Sequence, residues 1–172
     1  LIVPFQRIPL AVTVAVAAAL SGCGVMQSDA DRVSNPLTPE QSRTQVMDAA
    51  HDILGTLNNL QVVEAFFWRG SCNDQGDPPF RGEMRIAYPP AASFAESESQ
   101  IAQMVDQLRH AGWGSDPDFH SHGTVLTKGN VVAIFGPQNV STPNRDIQLL
   151  GECRDVTTTK DQSGKTERVT LP

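Results

Sequence analysis

The sequence predicts an α+β domain, an antiparallel sheet of about five strands covered by two helices, in the order α-β-β-α-β-β-β. Three observations carry that reading. Two stretches repeat apolar residues at the helical period, and each opens on a capping motif. Several short runs are β-branched, aromatic or alternating, and turn-forming residues bound them. The reversal Lys128-Gly129-Asn130 joins two of these runs as antiparallel neighbours.

Taken in order, residues 24–36 are polar, with Asp29, Asp31, Arg32 and Asn35 among them, and read as a flexible tether. The first helix starts at Thr38-Pro39-Glu40-Gln41. Thr38 is its N-cap, Pro39 its first residue, and Gln41 closes a capping box. Val46, Ala49, Ala50, Ile53, Leu54 and Leu57 then share one face, and Asn58-Asn59 ends the run. Residues 62–68 are β-branched and aromatic, which predicts a buried strand leading to Gly70-Ser71-Cys72. Asn73-Asp74-Gln75-Gly76-Asp77-Pro78-Pro79 is a loop dense in turn formers.

Residues 83–88 alternate, with Met84, Ile86 and Tyr88 inward, and Pro89-Pro90 stops them. Ser93 and Glu96 form a second capping box. The helix after it carries Phe94, Ile101, Met104, Val105 and Leu108 on one face, and Gly112 caps its end. A turn at Gly114-Ser115-Asp116-Pro117-Asp118 precedes strands at Val125-Leu126, 131–135 and 147–154. In the last of these Ile147, Leu149, Gly151 and Cys153 are in phase. The aromatics Phe66, Phe67, Trp68, Phe94 and Trp113 are expected in the core, and the residues after Asp155 read as a frayed polar tail.

The N-terminal segment reads as an address. Arg7 supplies the basic start, residues 8–20 a mostly apolar run, and Ser21-Gly22 the small residues that a peptidase accepts. The run falls short of the roughly 20 residues that a membrane-spanning helix needs. Leu20-Ser21-Gly22-Cys23 therefore reads as a lipobox in which the Cys23 sulfur takes a lipid. The division expected is a signal peptide over 1–22, lipidated Cys23 and tether over 23–36, a globular domain over 37–155 and a tail over 156–172. These features are similar to those of bacterial lipoproteins. That resemblance implies a diacylglyceryl group on Cys23, cleavage before it, and acylation of the new amine by a chain such as palmitate. Two or three chains, each worth about 0.8 kcal/mol per buried CH₂, make a stable anchor.

The formal charge is −6, and loss of Arg7 with the signal peptide makes the remainder more acidic still. That balance argues against nucleic acid, or an anionic membrane surface, as the main partner. With 40% apolar and 19% charged residues, the composition is that of a globular protein able to build a core. Cys23 belongs to the lipobox, which leaves Cys72 and Cys153 as an even pair. In an exported protein such a pair points to a disulfide. Closing a loop of 81 residues would stabilise the fold by about 4 kcal/mol through loop-closure entropy.

Candidate chemistry is thin. His120-Ser121-His122 places two imidazoles on one side of an extended segment, with Asp116 and Asp118 near in sequence. Zinc accepts such ligands, but its sites need three or four in register. A polar loop entering a strand is the plainer reading. Asp74 and Asp77 offer oxygen to calcium but lack the regular spacing of an EF-hand loop, so turn chemistry explains them better. No Gly-x-Ser-x-Gly elbow and no Gly-rich phosphate loop occur in the sequence. His51 and His110 fall on helices, where solvated or capping roles suit them. No catalytic residue and no cofactor is assigned.

At Ser71-Cys72-Asn73-Asp74-Gln75-Gly76-Asp77-Pro78-Pro79, and again at Gly151-Glu152-Cys153-Arg154, the chain resembles the LppJ-type mycobacterial lipoproteins. With the lipobox and the helix at Thr38, the resemblance covers most of the domain. It implies a lipid anchor in the cell envelope, on the extracytoplasmic face of the cell membrane, and brings no established activity. The expectation is a membrane-anchored, non-enzymatic binding module with a protein or lipid partner. The first alternative is a carrier of a lipid or small hydrophobic ligand, with a cavity between helices and sheet. The second is a metal protein or hydrolase using His120 and His122.

Overall fold

A computed structural model describes residues 28–171. The expected lipobox, Leu20 to Cys23, lies outside the described residues. The elements are α1 (Pro39–Thr56), β1 (Glu64–Ser71), β2 (Phe80–Tyr88), α2 (Phe94–His110), β3 (Thr124–Lys128), β4 (Val131–Phe135), β5 (Arg145–Leu150) and β6 (Glu167–Val169). All six strands form one antiparallel sheet in the order β3-β4-β5-β2-β1-β6. The α+β class stands, with one strand more than expected.

Helix α1 begins as its sequence dictates. Thr38 Oγ1 accepts from the Gln41 N–H at 3.1 Å, and Gln41 Oε1 accepts from the Thr38 N–H at 2.9 Å. Two otherwise orphaned donors are thereby satisfied. Its inner face adds Ser42 to Val46, Ala49, Ala50, Ile53 and Leu54. Ser42 Oγ accepts from the Gly82 N–H at 2.7 Å, and a Cβ on Gly82 would lie 2.4 Å from the Ser42 carbonyl oxygen. Only glycine lets α1 press this closely onto the backbone of β2.

The sheet sorts its residues by the two-residue period. Leu126, Ala133, Leu149, Met84 and Phe67 pair across successive strands as one buried row. Phe135, Ile147, Ile86, Ala65 and Val169 form a second. Helix α2 adds Ile101, Val105 and Leu108 to the same core. Fully burying one of the larger side chains in these rows contributes about 1.5–3 kcal/mol, so they are a main source of the fold's stability.

The C-terminal end of α2 is closed by a Schellman motif. The Gly112 N–H donates to the Arg109 carbonyl and the Trp113 N–H to the Leu108 carbonyl, with Gly112 at φ 92°. Ala111 is the cap residue, one before the glycine that the sequence marks. At the N-terminal end the expected capping box is half formed. Ser93 Oγ accepts from the Glu96 N–H, while the Glu96 carboxylate turns to Gln100. The β3–β4 hairpin turns through Gly129 and Asn130, both at positive φ, the pattern of a type I′ turn.

Several expectations need correcting. Phe66 and Trp68 alternate onto the outer sheet face and are half-buried, while Val63 is 48% exposed. The strand is therefore covered on one side only. Phe94 is 53% exposed, because it opens α2 before that helix meets the sheet. The last expected strand stops at Leu150, and Cys153 lies in the following bend. Residues 156–171 are more than a frayed tail: β6 pairs with β1, and Thr158 is buried. Within the expected tether Asp29–Arg32 form a 3-10 turn, and just beyond it Leu37 bridges Asp155. Cys72 and Cys153 are bonded, with Cα atoms 6.0 Å apart.

Candidate functional site

A cleft of about 460 Å³ opens between α2 and the sheet edge formed by β3 and β4. Its helix wall is a single stripe, Glu98, Ile101, Ala102, Val105 and Arg109, spaced so that one helical face presents them all. Phe135 and the chain entering β3, with His122 and Gly123, form the opposite wall. Ile101, Val105 and Phe135 are buried and give an apolar floor, whereas Ala102 is exposed at the rim. Glu98 and Arg109 stand at opposite ends of the helix stripe, eleven residues or about 16 Å apart by helical rise. Arg109 donates to Ser115 Oγ at 3.4 Å, and no carboxylate pairs with it among the described residues. The arrangement can hold a small apolar body with an anionic group beside Arg109.

The position of this cleft is fixed at the far end of α2. Trp113 Nε1 donates to Asp52 Oδ2 at 2.8 Å, and Lys128 Nζ donates to the same oxygen at 2.9 Å and to the Ala111 carbonyl at 2.9 Å. One carboxylate on α1 thus ties together the α2 terminus and the β3–β4 turn. Partial burial alone would raise the Asp52 pKa, but the bonds from Lys128 and Trp113 and the Lys128 charge outweigh it and hold it below 3.8. Asp52 therefore stays ionised at neutral pH.

Of the two candidate histidines, only His122 lines the cleft; both are exposed. Among the described residues no three His, Cys, Asp or Glu side chains come together as a metal site. Asp116 Oδ1 instead accepts from the Asp118 N–H, a local turn. Asp74 and Asp77 are exposed, and the loop between β1 and β2 is organised by Asn73 Oδ1, which accepts from the Asp77 N–H and Ser71 Oγ. His51 is exposed on α1, and His110 Nδ1 lies 2.8 Å from the Asp106 carbonyl at the end of α2. Sequence reasoning missed Arg109, whose signal was a basic residue four beyond Val105 on the apolar stripe. It also missed Arg145, which is buried, stacks 4.6 Å over Tyr88 and bonds Pro89, Ser97 and Gln100.

Both walls of the cleft, the disulfide and β6 fall inside the 38–172 segment matched by the model of a family described as "Putative lipoprotein LppJ". The chain belongs to the LppJ family. It is 31% identical over 154 residues to the "Putative lipoprotein LppJ" of Mycobacterium bovis (strain ATCC BAA-935 / AF2122/97), covering 83% of this chain and 80% of that one. It is 33% identical over 129 residues to the proteins of the same name in Mycobacterium tuberculosis strains CDC 1551 / Oshkosh and ATCC 25618 / H37Rv. Those matches cover 74% of this chain and 66% of each relative. No solved structure gives a significant match. The LppJ match begins at Thr38, the residue that caps α1.

Proposed function

We propose that this LppJ-family protein is anchored to the cell membrane through Cys23, on its extracytoplasmic face. There it acts as a non-enzymatic binding module whose ligand enters the α2 cleft. The anchor is supported by the lipobox Leu20-Ser21-Gly22-Cys23 together with membership in a family described as lipoproteins. The binding role rests on one observation: an apolar floor of Ile101, Val105 and Phe135 opens beside an Arg109 that no carboxylate among the described residues pairs with. Such a cleft, within the usual ~300–1,000 Å³ range of small-ligand sites, suits a small amphiphile with an anionic end.

Two measurements test it. Cys23→Ala should move the protein from the membrane to the soluble fraction; retention on membranes would remove the anchor. Native mass spectrometry of the exported protein should show a bound small molecule, which Ala102→Trp, filling the rim, abolishes. Bare protein in both cases would reject the cleft as the site.

A further inference from the structure

Most Arg and Lys side chains among the described residues pair with carboxylates. Arg69 and Lys165 do not, and they line the same cleft of about 400 Å³ between the start of α1 and the segment leading into β6. The Nε of Arg69 is buried and, among the described residues, has no hydrogen-bond partner. A guanidinium N–H removed from water without an acceptor costs free energy, so an acceptor brought to this side chain is favoured. Phe67 holds this side chain in place, with the Arg69 guanidinium 5.5 Å and that of Arg43 4.6 Å from its ring centre. Arg43 is neutralised by two hydrogen bonds to Glu167, at 2.7 and 2.9 Å. The carboxylate that also lines this cleft is therefore taken, and the charge of Arg69 is left over.

We propose that Arg69 and Lys165 form a binding site for a phosphate ester, distinct from the α2 cleft. A guanidinium fork and an ammonium are the pair of groups best suited to phosphate, the first by geometry and the second by point charge. Gln162 accepts from the Thr159 N–H through Oε1, which leaves its amide NH₂ as a further donor, and the Thr166 hydroxyl adds another. Four donor side chains lining one cleft, Arg69, Gln162, Lys165 and Thr166, suit the several acceptor oxygens of a phosphate. At about 400 Å³ the cleft has room for a phosphate carried on a larger body. With an overall charge of −6, general attraction to anions is absent, and recognition belongs to this local pair. Pro39 forms part of the wall, two residues after Leu37, where the chain arriving from Cys23 is fastened to the domain. On the anchored reading, the phosphate is that of a lipid headgroup in the same membrane; without it, a soluble phosphate ester fills the site.

The test uses the exported chain in maltoside micelles, which carry no phosphate, and follows the Arg69 Nε–H resonance by NMR. Glycerol 1-phosphate should shift that resonance saturably, and Lys165→Gln, at an exposed position, should weaken binding at least tenfold with the fold intact. Transfer to phosphatidylglycerol nanodiscs should produce the same shift without added ligand, which assigns the headgroup as the source. A shift with glycerol 1-phosphate alone assigns a soluble ester and counts against the membrane source, not the phosphate site. No shift in either setting, or equal affinity in Lys165→Gln, overturns the proposal. The Cys23→Ala fractionation reports separately on the anchor.

Discussion

Tyr88 is the single tyrosine of the chain and is 1% exposed, with Arg145 over its ring. Its buried hydroxyl has no hydrogen-bond partner among the described residues. Burial pushes its pKa up from 10.0 to about 12; the Arg145 charge opposes that rise and Asp146 adds to it. The folded value lies above the unfolded one, so the neutral ring contributes stability that is complete below pH 10. That contribution disappears as pH rises towards about 12. Titration followed by phenolate absorbance should therefore show ionisation well above pH 10, coincident with loss of the fold. Ionisation near pH 10 in a folded protein would contradict the burial. Arg145 could not be foreseen from sequence, because its partners Pro89, Ser97 and Gln100 come from β2's end and from α2.

The elements differ in how openly the chain declares them. Helix α1 was legible to the residue at its start, since a capping box is local chemistry between Thr38 and Gln41. The strand β6 was not: it has three residues, only Val169 points inward, and pairing with β1 alone defines it. The α2 cleft was half legible. Its helix stripe follows from spacing, whereas placing His122 opposite Arg109 depends on the fold. The cap of α2 belongs with α1 as a local signal, and it makes a prediction. Gly112 sits at φ 92°, where a Cβ costs about 1–2 kcal/mol. Gly112→Ala should lower the denaturation midpoint accordingly and loosen Trp113 from Asp52, read as a change in tryptophan fluorescence. An unchanged midpoint would mean that the turn relaxes without cost.

For the molecule as a whole, the bond between Cys72 and Cys153 joins the end of β1 to the chain beyond β5 across 81 residues. Replacing both cysteines by serine should lower stability by up to about 4 kcal/mol, measured as a shift in urea midpoint under oxidising conditions. No shift would mean that the sheet alone fixes this corner. The same corner receives the incoming chain. The Leu37 N–H donates to the Arg154 carbonyl at 2.8 Å, and Asp155 exchanges backbone bonds with Phe80 at 2.7 and 3.0 Å. Phe80 opens β2, an interior strand, and Cys153 lies two residues before Asp155. Tension drawn along the leading chain thus reaches the middle of the sheet, and a covalent link, before it reaches the first turn of α1. Pulled from that end, the domain first loads the Leu37–Arg154 fastening, one residue ahead of Thr38.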